Sequence, residues 1–157
     1  MSEFQWLLAL HVTGAFLFLG GGVMAAILGI AARRATEPDE VAVLLRLSQV
    51  ALVVIASGGL LTLVLGLWLV HHGGFAYGQT WIVFSLVLFP AALAAASLAG
   101  RRERRARLLA ERLAGEPDLS RNELEERLRD PISRALSWGS GTAILAILAL
   151  MIWKPGA

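Results

Sequence analysis

The sequence predicts an all-α membrane protein, a bundle of four transmembrane helices with a helical hairpin between the third and the fourth. Three observations predict it. Four apolar runs are each long enough to cross a bilayer, every basic side chain but Lys154 falls at one end of them, and most tryptophans fall at the other. Of the 157 residues, 57% are hydrophobic and 17% charged, with a mean hydropathy of +0.67. A soluble domain is about half apolar and about a quarter charged.

A helix needs about 20 apolar residues to cross a hydrocarbon core of ~30 Å. The first run that qualifies is Phe4 to Ala32, the second Leu47 to Val70, the third Thr80 to Gly100 and the fourth Ala135 to Trp153. In lipid each backbone amide must be satisfied within its own segment, so these runs are helices. Span one carries the small-residue spacing Gly21, Ala25, Gly29, and span two Gly58, Thr62, Gly66. Span three repeats it at Ala92, Ala96 and Gly100, and span four at Ser133, Ser137 and Gly141. Lipid gives no hydrophobic force between helices, so close approach over small residues is expected to hold the bundle together. Pro90 is expected to bend span three, since it lacks a donor and crowds the preceding turn.

Between spans three and four lies the segment 101–134, where RRERRARLLAERLAG continues the third helix as far as Gly115. Glu103 and Arg107 are spaced i,i+4 for an ion pair. Ser120 and Glu123 read as a capping box that opens a short helix through Arg129. Asp130-Pro131 then caps the helix that becomes span four, with proline at its first position. The hairpin is expected to be solvated and held near anionic lipid. Eight acidic residues are interleaved with its arginines, which argues against nucleic-acid binding.

Orientation follows from charge. Arg33, Arg34 and Arg46 lie between spans one and two, and ten further arginines lie in 101–134. Basic loops stay in the cytoplasm, so both termini and the 70–80 loop are expected outside. Trp6, Trp68, Trp81, Trp153 and Tyr77 fall at the outer ends, with Trp138 near the inner one. Indole prefers the headgroup boundary, where its ring is buried and its N–H stays wet. The opening MSEFQW has no basic n-region, so no cleaved leader is expected. The arginine bias fits a GC-rich bacterial coding sequence, and the bacterial cytoplasmic (inner) membrane is the expected location.

Chemistry has few candidates. There is no cysteine, which excludes disulfides, thiolate metal sites and cysteine nucleophiles. No Walker loop, G-x-S-x-G elbow, HExxH helix or intramembrane carboxylate pair occurs, so no catalytic residue is assigned. One ionisable side chain stands well inside a span. His11 is about 10 Å below the outer boundary at 1.5 Å per residue. It shares a helical face with Gly14, Phe18, Gly22, Ala25 and Gly29, so it points at neighbouring helices. Such a residue is a site hypothesis by default. It is either a neutral imidazole bonded to a polar neighbour, with Thr62 or Ser85 at matching depth, or a ligand for haem or copper, or a proton carrier. Gly66, at similar depth, leaves room that a flat macrocycle would need. His71 and His72 lie above His11 at the outer end of span two, either as a wet interfacial pair or, with Met1, as a copper site.

The stretch LHVTGAFLFLGGGVMA resembles the opening helix of the CopD-like group of small membrane proteins. That group's motif runs histidine, six residues, tryptophan, one residue, two glycines. Here the positions are His11, Phe18, Gly20 and Gly21, with phenylalanine in place of tryptophan. The run DPISRALSWGSGTAILAILALMIWKPGA resembles the end of a branch of that group catalogued as predicted integral membrane proteins. The resemblance implies the four-span layout, and copper or haem handling through His11. In the related HemJ proteins the first-helix histidine pairs with a third-helix lysine, and span three here has none.

The expectation is therefore a small membrane protein acting as a non-enzymatic accessory or interaction subunit, meeting protein partners or a second copy in the bilayer. The alternative is a haem- or copper-binding protein with His11 as ligand.

Overall fold

The computed structural model describes residues 2–115 and 122–155, and every regular element among them is a helix. These are α1 (Glu3–Arg34), α2 (Pro38–His72), α3 (Thr80–Gly115), α4 (Asn122–Leu128) and α5 (Pro131–Trp153). Four stretches are long and apolar enough to cross a membrane: α1, α2, α3 and the stretch Asn122–Trp153 that contains α5. Their best windows have mean hydropathies of 2.2, 2.5, 2.3 and 1.9.

The ends of the helices are written in local chemistry. Ser2 accepts from the Gln5 amide while the Gln5 side chain accepts from the Ser2 amide, closing a capping box at α1. Pro38 opens α2 at a position where a missing N–H costs nothing. Asp130 accepts from the Ile132 amide at 3.0 Å and Pro131 follows it, as the sequence predicts for α5. Ser120, half of the capping box expected for α4, lies outside the described residues.

The helices are longer than a bilayer requires. At 1.5 Å per residue the 36 residues of α3 span about 54 Å, and the 35 of α2 about 52 Å, against ~30 Å of hydrocarbon. The segment expected as a loop between spans one and two is mostly helix. Arg33 and Arg34 end α1, and Arg46 lies well inside α2. Pro90 sits inside α3, which continues unbroken around it.

The helices pack as two pairs, α1 along α2 and α3 along α5, joined by the α2–α3 seam. Between α1 and α2 the backbones touch. A Cβ on Gly58 would stand 2.5 Å from the Phe18 amide nitrogen and 2.8 Å from the Gly14 carbonyl oxygen. One on Gly21 would stand 3.1 Å from the Ile55 amide nitrogen. Gly21, Gly58 and Thr62 are thus close-packed, and Gly14 belongs with them. Ala25 is half-buried. Between the pairs, Phe18 and Phe89 stack with ring centroids 5.6 Å apart, and Ile147 of α5 joins them.

Span four differs from expectation. Ser137 and Gly141 face outward, and a Cβ on Gly141 would meet nothing within 4 Å. The residue that turns inward is Ser140, whose hydroxyl donates to the Ala92 carbonyl of α3 at 3.1 Å. A small-residue spacing marks a face that can be approached, but only a partner decides whether it is.

The arginine-bearing end has a hydrophobic core of its own. Ala32 of α1, Val41, Ala42 and Leu45 of α2, Ala106, Ala110 and Leu113 of α3, and Leu124 of α4 are buried together. The hairpin is therefore docked where a solvated one was expected, because the alanines let the projecting ends of three helices close up. Ion pairs rim this core. Arg107 pairs with Glu111 at 2.8 Å, and not with Glu103 as the spacing suggested. Glu103 has turned the other way, toward Arg33 and Gly29 of α1. Arg46 reaches the same Glu111 at 3.0 Å. The hydrogen bond from Arg46, helped by the charge of Arg107, holds the Glu111 carboxyl below the usual carboxylate range.

Candidate functional site

His11 lies about five turns before Gly29, the last glycine of α1, and is half-buried against α2. Its Nδ1 lies 2.9 Å from the main-chain oxygen of Thr62. A carbonyl can only accept, so Nδ1 carries the proton, and in the neutral imidazole Nε2 keeps its lone pair. Of the two partners at matching depth, Thr62 provides its backbone and not its hydroxyl, which donates to the Gly58 carbonyl at 2.8 Å. Ser85 is bonded to the Trp81 carbonyl at 2.7 Å.

Gly66 explains how a helix carbonyl can take this second donor. In an α-helix the oxygen of residue 62 points at the amide of residue 66, so the side chain of residue 66 stands beside it. A Cβ there would lie 3.0 Å from His11 Cε1 and 3.3 Å from Nδ1. The space the sequence offered to a flat macrocycle is occupied by the imidazole itself. Gly66 is a seat for His11.

The histidines at the end of α2 are not brought to His11. It packs beside residues 62 and 66, whereas His71 and His72 come five and six residues after Gly66, about 8–9 Å further along by rise. The two rings meet edge to face with centroids 5.9 Å apart, and Trp68 lies 6.0 Å from His72. Both histidines are exposed. Among the described residues no three His, Cys, Asp or Glu side chains gather where they would hold a metal ion. His11 thus supplies one imidazole nitrogen, oriented by a carbonyl in the way a ligand histidine is held.

Two further clusters escaped the sequence reading. At the aromatic end Lys154, the left-handed cap of α5, lies 5.2 Å from the Phe75 ring centroid and 5.7 Å from that of Trp81. Phe75 and Trp81 meet edge to face, and Val70, Ile82 and Leu150 complete the contact. The hint in the sequence was a lone lysine directly after Trp153. At the arginine end a cavity of about 20 Å³, room for about one water, opens among Gly29, Arg33, Glu103, Arg127 and Ser133. Arg102 of α3 bonds to Asp130, the cap of α5, at its edge. Gly29 is buried here, where a Cβ would lie 3.6 Å from the Arg33 guanidinium and 3.7 Å from Glu103 Oε1. It makes space for a charged contact more than for a helix crossing.

The outward surface is uneven. Of the apolar window in the stretch holding α5, 11% is buried, against 22%, 22% and 28% in the other three. Trp138 is 73% exposed, Leu145 62% and Ile152 66%. Beside Trp138 and Gly141, Gly139 also has open space around its Cα. A shallow apolar groove of about 380 Å³ runs between Phe84, Ala146, Ala149, Leu150, Trp153 and Pro155.

A family model described as predicted integral membrane protein (DUF2269) matches residues 5–155. No curated protein matches the chain, and neither does any solved structure.

Proposed function

We propose that this chain, which belongs to the predicted integral membrane protein family (DUF2269), is a non-enzymatic accessory subunit that packs laterally against a partner in the bilayer. Its setting is the bacterial cytoplasmic membrane, with both termini outside and the arginine end in the cytoplasm, as the placement of basic residues favours. The four-helix unit is a single domain in this reading.

The observation that carries the proposal is the low burial of α5. This helix rests on α3 through Ser140 and Ile147 and turns Gly139, Gly141, Ser137 and Trp138 outward. Small residues lining an outward face let a second backbone approach closely, which is how helices associate in lipid. The partner is then a membrane helix, of another protein or of a second copy.

Extraction in mild detergent, with crosslinking of cysteines placed at 137 and 141, tests this. A defined heteromer or dimer crosslinked at those positions is the expected result. A monodisperse monomer with stoichiometric haem or copper would overturn it.

A second reading is favoured by one observation, the fixed tautomer of His11. With Nδ1 donating to Thr62, the Nε2 lone pair is available to a metal. The CopD-like resemblance points the same way, toward copper or haem. Haem fits poorly, since the imidazole itself fills the space at Gly66. A copper ion would draw its remaining donors from a partner or from solvent. Metal analysis and a visible spectrum of purified wild type and His11→Ala decide it, and the absence of copper and of a Soret band in wild type would reject it.

A further inference from the structure

We propose that Arg101, Arg104 and Arg105 form a binding face for the phosphate headgroups of anionic phospholipids where α3 leaves the bilayer. The inference rests on α3 crossing the membrane and is independent of the accessory role and of which side the arginine end occupies.

Height comes first. The apolar run of α3 ends at Gly100, and at 1.5 Å per residue these arginines stand about 2–8 Å beyond it. The headgroup layer on each side of a bilayer is about 5–7 Å thick. Their chains are long enough to lay methylenes against the acyl boundary with the guanidinium among phosphates.

Pairing comes second. The ion pairs of this end use Arg46, Arg102, Arg107, Arg127 and Arg129, with Glu111, Asp130, Glu123 and Glu125 as partners. Among the described residues the side chains of Arg101, Arg104 and Arg105 take no hydrogen bond and no ion pair, and all three are exposed. The nearest acid on the same helix, Glu103, faces Arg33 and Gly29 instead.

Direction comes third. Ala99, Ala106 and Ala110 define the buried face of α3. With 100° per residue, positions 101, 104 and 105 fall on the opposite side, at i, i+3 and i+4, as one cluster. Three planar forks on one face suit phosphate oxygens, which guanidinium binds bidentately. Arg112 lies on the same side of the helix but about 18 Å beyond Gly100, out of reach of the headgroups.

The test is lipid binding to the detergent-purified full chain by native mass spectrometry. Phosphatidylglycerol and phosphatidylcholine are titrated against wild type, the triple variant Arg101→Gln/Arg104→Gln/Arg105→Gln, and Arg112→Gln. A basic residue near an anionic surface contributes about fivefold in binding. The expected result is at least tenfold tighter binding of phosphatidylglycerol than of phosphatidylcholine to wild type, a tenfold or greater loss in the triple variant, and a change under twofold in Arg112→Gln. Equal binding of the two lipids, an unchanged triple variant, or an equal loss in Arg112→Gln each overturns the proposal. So does displacement of the lipid by millimolar inorganic phosphate, which would make this a site for the free anion. If the triple variant lacks the wild-type circular dichroism, Arg104→Gln alone and the salt dependence of wild-type binding replace it. A preference for phosphatidylglycerol unaffected by 0.5 M NaCl, or by Arg104→Gln, then counts against the face. Every measurement is made on the isolated chain, so a missing protein partner leaves the answer unchanged.

Discussion

Nδ1 of His11 donates to the main-chain oxygen of Thr62 across 2.9 Å, and glycine at position 66 is what opens that oxygen to a neighbouring helix. Intramembrane hydrogen bonds between helices contribute about 0.6 kcal/mol on average and up to about 1.7.

His11→Ala is therefore expected to lower stability in detergent by about 1 kcal/mol. Gly66→Ala, whose new methyl meets Cε1 at 3.0 Å, should cost about as much by displacing the ring. The double variant should lose less than the sum, because both changes break one interaction. Thermal unfolding of the four proteins reads this, and strict additivity would show that residue 66 does not act through His11.

At the α1–α2 crossing the prediction is harsher. Gly58→Ala places a methyl 2.5 Å from a backbone nitrogen that cannot rotate away. Overpacking of this kind costs about 1–3 kcal/mol, and the upper end is expected. Gly139→Ala has open space and should change stability by less than about 0.5 kcal/mol. Comparable losses in both would mean that α5 is covered as tightly as α1.

Among the described residues Ser140 is the one whose hydroxyl crosses between α3 and α5. Ser140→Ala should cost about 0.6–1 kcal/mol, while Ser137→Ala, whose hydroxyl stays on its own helix, should be near neutral in the isolated chain. A neutral Ser140→Ala would show that apolar packing alone joins this pair.

The Glu111 clasp gives a pH dependence of defined sign. Its carboxyl is held below the normal range by Arg46 and Arg107, so the folded state favours the ionised form. That contribution is complete above the unfolded carboxylate value near ~4.3 and is lost as pH falls through the lower folded value. Melting midpoints of wild type and Glu111→Gln should differ at pH 7 and converge as the pH falls through the lowered folded value. The gap will be small, since the carboxylate is solvated, and a gap that widens in acid would reverse the assignment.

Lys154 over Phe75 and Trp81 predicts a loss of about 0.5–1 kcal/mol in Lys154→Met. Lys154→Arg should keep most of the contact. Tryptophan emission during unfolding, read in a background with Trp6, Trp68, Trp138 and Trp153 changed to phenylalanine, follows the environment of Trp81, and equal behaviour of the two variants would remove the cation from the explanation.

The four long helices were legible because apolar length is a property of single segments, and caps such as Asp130-Pro131 were legible for the same reason. His11 was legible as a buried polar residue, since a histidine among glycines has few reasons to face lipid. Its partner atom was not, because a backbone oxygen leaves no mark in a sequence; only Gly66 hinted at it, and that hint also suited a cofactor. Pairings between distant segments fared worst. Glu103 has an arginine four residues on, yet tertiary packing turns it toward Arg33, and Ser140 takes the role that spacing gave to Ser137 and Gly141. The capping box at Ser2 and Gln5 was readable from its spacing and was missed beside the stronger apolar signal.

The alanine core at the arginine end has a mechanical meaning for α1. Its last turn is clamped there with Ala32 fully enclosed, while Phe4, Trp6, Leu8 and Leu10 at its far end are all more than 40% exposed. A rod of 32 residues is about 48 Å long, and its contacts with α2 at Gly14 and Gly21 hold its middle. α1 is thus held at two heights, by the alanine core among the arginines and by its glycine crossing with α2, and the His11 bond lies beyond both.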